Sequence, residues 1–203
     1  MARRTKAEAA ATREALIDAA EDMFMAHGVA RTSLEQIARH TGMTRGAVYW
    51  HFKNKADLFH AMLERVRMPF QDLMDQVEPT LADRCPLEAI RQACIKGLAR
   101  LEQPRHRRVH SILMYRCEFF SDIDPQAMQE EISQDTYAVL LKYFQMAHER
   151  GQLASLSAEA ATDLLHATLS GLFYGWLRHP ERYSIKTRGA VMIENLLQLM
   201  RKD

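Results

Sequence analysis

The stretch Thr44-Arg45-Gly46-Ala47-Val48-Tyr49-Trp50-His51-Phe52-Lys53-Asn54-Lys55 carries a hydroxyl, a guanidinium, two polar-tipped aromatics, an imidazole and two lysines within twelve residues. A short helical pattern from Ser33 to His40 precedes it, and Thr41-Gly42-Met43-Thr44 joins the two as a turn. A short helix, a tight turn and a second short helix with polar and aromatic tips is the form in which a helix-turn-helix meets a DNA major groove.

Working through the segment residue by residue, Thr44 caps the second of these helices, so its hydroxyl and the first amides face whatever approaches that end. Arg45 lies at the groove-facing tip, where a guanidinium can take guanine O6 and N7 bidentately. Gly46 and Ala47 leave the backbone free to approach DNA closely. Val48 points back to the core, and Phe52 with it. Tyr49 and His51 emerge at the helix end, within reach of phosphate or a thymine methyl. Lys55 opens the next helix within reach of the DNA backbone. Thr32 and Ser33 are further phosphate donors, and Arg3, Arg4 and Lys6 form a basic arm able to enter a flanking groove. The same residues admit a plainer reading, with Tyr49, Trp50 and Phe52 as an aromatic core stripe, Trp50 partly so, and Lys53 and Lys55 as solvated charges.

Charge follows the same division. Residues 1–55 hold nine Lys and Arg against six Asp and Glu, whereas the whole chain has a formal net charge of only +1. A positive excess at one end suits phosphate attraction without making the chain a general polycation. The 203 residues, 47% of them hydrophobic, can bury a sizeable core. Cys85, Cys94 and Cys117 are far apart and odd in number, which fits reduced thiols; Cys117, after Arg116, is the one with a basic flank that a redox sensor would use. The basic N-terminus is not followed by an apolar run, and Leu164–Leu177 is too short to cross a bilayer, so a soluble, intracellular protein with no membrane partner is expected.

Helical periodicity runs through the chain and predicts an all-α fold of about nine helices. The first opens on a capping box, Thr5-x-x-Glu8, buries Leu16, Ala19, Ala20, Met23 and Phe24, and ends at Gly28. A second box, Thr32-x-x-Glu35, opens the next, with Leu34, Ile37 and Ala38 inward. Asn54 caps a fourth helix that is expected to continue past Pro69 with a bend. Two prolines then bracket a loop at 78–86, and helices follow at about 86–102, 104–120, 126–150, 158–179 and 187–202. The domains are thus 1–53, a helix-turn-helix head, and 54–203, a helical body whose residues 54–77 link the two. The last two helices are apolar around most of their circumference, and Ser170, Gly171 and Gly175 permit close approach; a partner subunit or an ordinary monomer core could cover them.

The order Thr-x-x-Glu-Gln-Ile-Ala, then Gly-x-Thr-Arg-Gly-Ala-x-Tyr-Trp-His-Phe-x-Asn-Lys, resembles the DNA-binding domain of the tetracycline-repressor (TetR) family. Arg3-Arg4-Thr5-Lys6 with the residues after it is similar to the AcrR-like branch that represses multidrug efflux pumps. The resemblance implies a three-helix DNA-binding head, a linking fourth helix, a divergent ligand-binding body and a homodimer formed by the last two helices. It also implies double-stranded DNA, a palindromic operator, as partner, with contacts at Thr32, Ser33, Thr44, Arg45, Gly46, Tyr49, Trp50, His51 and Lys55. In the body, Ile112-Leu113-Met114-Tyr115-Arg116-Cys117-Glu118-Phe119 is similar to a segment that flanks a drug pocket in efflux-pump repressors. By that analogy His110, Met114, Glu118, Phe144, Leu165, Ser170, Phe173 and Trp176 are candidate contacts for a small apolar or amphipathic inducer; core packing is the alternative for most of them.

No nucleophile elbow, zincin, P-loop or dinucleotide fingerprint occurs, and neither catalytic residues nor a cofactor is expected. His106 and His110 stand at i, i+4 as a metal pair would, but Arg105, Arg107 and Arg108 surround them and no third ligand is evident, so no metal site is expected. The expected function is a ligand-released transcriptional repressor of an efflux operon. In it an apolar ligand moves helix four and changes the spacing of the two heads, which must match major grooves ~34–36 Å apart. A same-family regulator of catabolic or lipid genes stays open at this point. So does a helical ligand-binding protein or enzyme with a vestigial helix-turn-helix.

Overall fold

The computed structural model describes residues 6–120 and 123–202. Arg3 and Arg4 of the basic arm, Thr5 of the first capping box, and Ser121 and Asp122 lie outside the described residues. Within them the fold is all-α: eleven helices and no strand. Two compact units form. The first comprises residues 1–67 and 108–126, the second 68–107 and 127–203.

The first unit begins with α1 (Lys6–His27), α2 (Leu34–His40), α3 (Arg45–His51) and α4 (Lys55–Glu64). Their apolar faces meet in one core of Leu16, Ile17, Phe24, Ile37, Val48, Phe52, Leu58, Phe59 and Met62, each no more than 1% exposed. Phe24 of α1 and Phe59 of α4 pack at 6.0 Å between ring centroids with a tilt of 58°. Burial of each such side chain is worth about 1.5–3 kcal/mol. Gly28 ends α1 with φ +84°, a conformation that disfavours any side chain, and its amide bonds to the Phe24 carbonyl at 2.9 Å.

Two helix starts fall where expected, with Thr44 accepting from the Ala47 amide and Asn54 from the Asp57 amide. The second capping box is shifted by one residue. Ser33, not Thr32, is the N-cap of α2, and Gln36 rather than Glu35 closes the box, with the Ser33 amide donating to Gln36 Oε1 at 2.7 Å. Thr32 is unavailable because its hydroxyl donates to the Gly28 carbonyl at 2.8 Å, satisfying the end of α1.

Helix four is shorter than expected. It stops at Glu64, and Pro69 is the N-cap of a separate α5 (Phe70–Asp75) rather than a kink within one helix. A proline lacks the amide a helix needs and drives the residue before it out of the helical region. The expected loop at 78–86 contains another helix, α6 (Pro79–Arg84), with Pro79 in its first turn, where a missing amide costs nothing. Counting these two short helices accounts for eleven rather than about nine.

The second unit holds α5, α6, α7 (Pro86–Leu101), most of α9 (Pro125–Glu149), α10 (Ala158–Arg178) and α11 (Ile185–Met200). α8 (Pro104–Tyr115) starts in the second unit and ends in the first; it stops five residues short of the expected 120. α7 and α11 form the most extensive helix pair. Their closeness depends on Gly189, where an added methyl would overlap Leu98 Cδ1. Gly189→Ala is therefore expected to destabilise the protein by about 1–3 kcal/mol, as overpacking does. A lowered thermal midpoint checks this, and an unchanged one would show that Leu98 yields freely.

Candidate nucleic-acid interface

α2 and α3 present one continuous polar surface. The turn between them is set by Gly42 at φ +68° and by the Met43 amide bonding back to the Ala38 carbonyl at 2.9 Å. Val48 anchors α3 from below with no exposed surface, leaving Arg45, Gly46, Tyr49 and Trp50 outward. Trp50 is 72% exposed, which corrects the expectation that it is partly core; its ring stands edge-on to His51 at 4.5 Å. Phe52 is core as expected, with the Arg13 guanidinium 5.3 Å from its ring centroid.

Arg45 is not a loose side chain. Its Nε lies 3.2 Å from Glu35 Oε1, and its guanidinium carbon sits 5.2 Å from the centre of the Tyr49 ring. The Tyr49 hydroxyl donates to the same Glu35 oxygen at 3.4 Å. Glu35, Arg45 and Tyr49 thus form a closed group on the exposed surface. The Glu35 carboxyl is held below its ordinary range, chiefly by its own backbone amide at the start of α2; partial desolvation opposes this and Arg45 adds to it.

Two candidate contacts sit differently from the expectation. Thr32 is only 1% exposed and its hydroxyl is engaged with the Gly28 carbonyl. Lys55 turns its ammonium inward, donating to the carbonyls of Val29, Ala30 and Thr32 at 2.7, 3.1 and 2.9 Å. All three ammonium protons are therefore engaged. The Phe120 ring lies beneath it at 3.7 Å, and burial lowers its pKa. Here the Lys55 ammonium faces the chain's own carbonyls. Ser33, Tyr49, Lys53, Lys55 and Phe120 line an open hollow of about 270 Å³ beside this surface.

Phe120 and Glu35 are residues the sequence reading missed. Phe120 follows α8 in a short non-helical segment that also ties to the head through the Val29 amide, which donates to the Arg116 carbonyl at 2.9 Å. No local pattern links residue 120 to residues 29 and 55. Glu35 was detectable only by noting that two overlapping cap patterns compete, so that one acid is left over.

The candidate ligand contacts divide between the units. His110 and Met114 are half-buried on α8, and Glu118 is exposed beyond the end of that helix rather than on it, all in the first unit. In the second unit Phe144, Leu165 and Trp176 are fully buried, while Ser170 and Phe173 are half-buried. The buried indole N–H of Trp176 has no acceptor among the described residues. Also in that unit, Ser133 and the His166 ring nitrogen lie 3.1 Å apart, and the Tyr137 hydroxyl donates to Asp163 at 2.9 Å. This polar cluster across α9 and α10 was not anticipated; its only trace in the sequence is i, i+4 and i, i+3 spacing.

The three thiols are free. Burial pushes Cys94 up to about 12, and burial pushes Cys117 up to about 11 against the pull of Lys55, so both stay protonated, contrary to what a reactive thiolate needs. Among the described residues, no group of three or more His, Cys, Asp or Glu side chains could hold a metal ion. No described helix is long and apolar enough to cross a membrane.

An exposed, capped recognition helix fixed over its own three-helix core defines a helix-turn-helix DNA-binding protein. Residues 16–62 match the family "Bacterial regulatory proteins, tetR family", and residues 85–202 match "MAATS-type transcriptional repressor, C-terminal region". The chain is 35% identical to the HTH-type transcriptional repressor BepR of Brucella suis biovar 1 (strain 1330) over 202 residues, 98% of this chain and 96% of that one. Its fold is similar to NalD, the secondary repressor of the MexAB-OprM multidrug efflux pump in Pseudomonas aeruginosa, with a TM-score of 0.82, 36% identity, and 98% and 100% of the two chains covered. It is also similar to SmeT, the repressor of a Stenotrophomonas maltophilia multidrug efflux pump, as solved with triclosan: TM-score 0.76, 35% identity, 95% and 93% covered. The chain belongs to the tetR family and is a DNA-binding transcriptional repressor.

Proposed function

We propose that this repressor acts in the cytoplasm as a homodimer on a palindromic operator controlling a multidrug efflux pump, and that a small apolar or amphipathic compound releases it. The likeness to NalD and SmeT supports the efflux assignment. Residues 1–53 serve as the DNA-binding domain and 54–203 as the ligand-binding and dimerisation domain. Ser33, Thr44, Arg45, Gly46, Tyr49, Trp50 and His51 contact DNA, and Lys53 and Lys55 add positive potential beside them.

The observation that carries the dimer is an apolar stripe on the last two helices. Leu164, Ala167, Gly171, Tyr174 and Gly175 follow helical spacing along α10 and are exposed; Val191, Met192 and Leu199 do the same on α11, with Leu199 81% exposed. Such a face in a protein of this size needs a cover, and a second copy supplies it symmetrically. For the ligand, Phe144, Leu165, Phe173 and Trp176 offer apolar and aromatic surface. The unmatched Trp176 donor favours compounds bearing a hydrogen-bond acceptor. Release would pass along α8, which begins in the second unit and leads into Arg116, whose carbonyl holds Val29 in the first. A ligand that favours the released form by a few kcal/mol suffices to empty the operator.

The test is salt-dependent binding to the DNA upstream of the protein's own gene, with Leu199→Arg as a partner experiment. The wild-type chain is expected to sediment as a dimer and to lose affinity steeply with salt. Leu199→Arg should sediment as a monomer with operator affinity lowered at least tenfold, because the two half-site contacts are uncoupled. A wild-type monomer, or no preference for the upstream DNA, would refute the reading.

A further inference from the structure

We propose that Phe120, in the segment after α8, is a positioning residue of the DNA-binding head. Its ring holds the Lys55 ammonium on the carbonyls between α1 and α2, and so fixes the start of α2. This rests on the DNA contacts proposed for α2 and α3.

An ammonium drawn out of water needs an acceptor for each of its protons. Lys55 finds three in the carbonyls of Val29, Ala30 and Thr32, at 2.7, 3.1 and 2.9 Å. All three belong to the connection that leaves α1 and leads into Ser33, the N-cap of α2. Lys55 itself opens α4, so one side chain joins α4 to the point where α2 begins. Neutral carbonyls are a weaker counterpart than a carboxylate, and burial disfavours the charge. The Phe120 ring adds what they lack. Its centroid lies 3.7 Å from Nζ, where an aromatic face attracts a cation and its bulk excludes water.

Phe120 is itself held in place. Its amide donates to the Ile123 carbonyl at 3.0 Å, the Ile123 amide donates back at 2.8 Å, and Ile123 has no exposed surface. Upstream, the Val29 amide donates to the Arg116 carbonyl at 2.9 Å, and Arg108 pairs with Asp22 of α1. Residues 108–126 accordingly form one compact unit with residues 1–67. Neighbouring Phe119 is 73% exposed, so of the two adjacent rings only Phe120 turns inward. Phe120 also lines the hollow shared with Ser33 and Tyr49, two of the proposed DNA contacts. In a helix-turn-helix the first helix crosses the DNA backbone while the second enters the groove. A displaced start of α2 therefore shifts the phosphate contacts that set the register of the whole head.

The experiment compares the full-length wild-type chain with Phe120→Ala, Phe120→Tyr, Phe119→Ala, Lys55→Met and the Lys55→Met/Phe120→Ala pair. Amide exchange is read without DNA, and binding to the upstream operator is read by fluorescence anisotropy over a range of salt. Phe120→Ala is expected to speed exchange at Val29 and Thr32 and to weaken operator binding, each about tenfold, the scale of a desolvated cation–π contact. The slope of log affinity against log salt should stay as in the wild type, since no charge is lost. Phe120→Tyr, which keeps a ring, should restore both, and Phe119→Ala should change neither. Beside Lys55→Met, the loss of Phe120 should add nothing. Unchanged exchange or unchanged operator affinity for Phe120→Ala overturns the proposal, as does an equal loss for Phe119→Ala or a Phe120 effect that persists in full without Lys55. So does tighter operator binding with a salt slope steeper by about one, which would make Phe120 a ring that keeps Lys55 from a phosphate. Faster exchange in Phe120→Ala, beside a wild-type chain with no preference for the upstream DNA, removes the operator reading and leaves Phe120 fixing the start of α2.

Discussion

Arg45→Ala is expected to cost the dimer roughly 2–6 kcal/mol of operator affinity, two guanine contacts of about 1–3 kcal/mol each, while scrambled DNA loses far less. The estimate follows from placement. Arg45 stands at the first helical position of α3, its side chain 69% exposed, so truncation removes surface contacts with Glu35 and the Tyr49 ring and nothing of the core. Its stability contribution is small, because its ion pair with Glu35 is to a half-exposed carboxylate. The loss should therefore appear in binding and not in the melting curve. Salt titration separates it from its neighbours. Removing a base contact leaves the slope of log affinity against log salt nearly unchanged, whereas Lys53→Ala, which removes a positive charge from beside the proposed contacts, should flatten it and weaken all sequences alike. Equal losses for Arg45→Ala on operator and scrambled DNA would mean that the guanidinium reads charge rather than sequence.

Much of this surface was legible in the sequence because local rules govern it. Thr44, Asn54 and Gly28 punctuate helices whatever surrounds them, and the 3–4 spacing of Leu16, Ala20 and Phe24 allows only one inward face. The apolar girth of α10 and α11 likewise survives as an exposed stripe. Reading failed where two local solutions competed and a distant group chose between them. Thr32-x-x-Glu35 and Ser33-x-x-Gln36 are equally good boxes until the Gly28 carbonyl takes the Thr32 hydroxyl. Lys55 reads as a phosphate contact until the carbonyls of the α1–α2 connection and the Phe120 ring, 65 positions further along the chain, claim its ammonium. The ligand candidates show a different gap. Periodicity reports that Phe144 and Leu165 are apolar and inward, but lining a binding site and filling a core leave the same pattern.

Arg65→Met is expected to destabilise the first unit by about 3–5 kcal/mol, the scale for removing one partner of a buried ion pair. Arg65 immediately follows α4 and reaches back to α1, where its guanidinium contacts Glu14, Asp18 at 2.7 Å and Glu21 at 3.0 Å. It also donates to the Glu14 backbone carbonyl at 2.9 Å. The three carboxylates do not count equally. Glu14 and Asp18 are half-exposed and water can replace Arg65 there, but the Glu21 side chain is only 5% exposed. Without Arg65, that carboxylate stays out of water beside two like charges, while the apolar methionine restores the volume and none of the charge. Acid should narrow the deficit, because protons neutralise the carboxylates that Arg65 no longer meets. Arg65→Lys should fall between, since an ammonium supplies charge without the planar fork that reaches two carboxylates at once. Hydrogen exchange localises the effect: α1 amides around Asp18 and Glu21 should lose protection while those of α7 and α11, in the other unit, keep theirs. Because Arg65 lies outside the proposed DNA contacts, weakened operator binding by Arg65→Met should recover on cooling, as folding of the head is restored, whereas that of Arg45→Ala should not. Unchanged exchange across α1 would show that the core of Leu16, Ile17 and Phe24 holds the helix without the ion cluster.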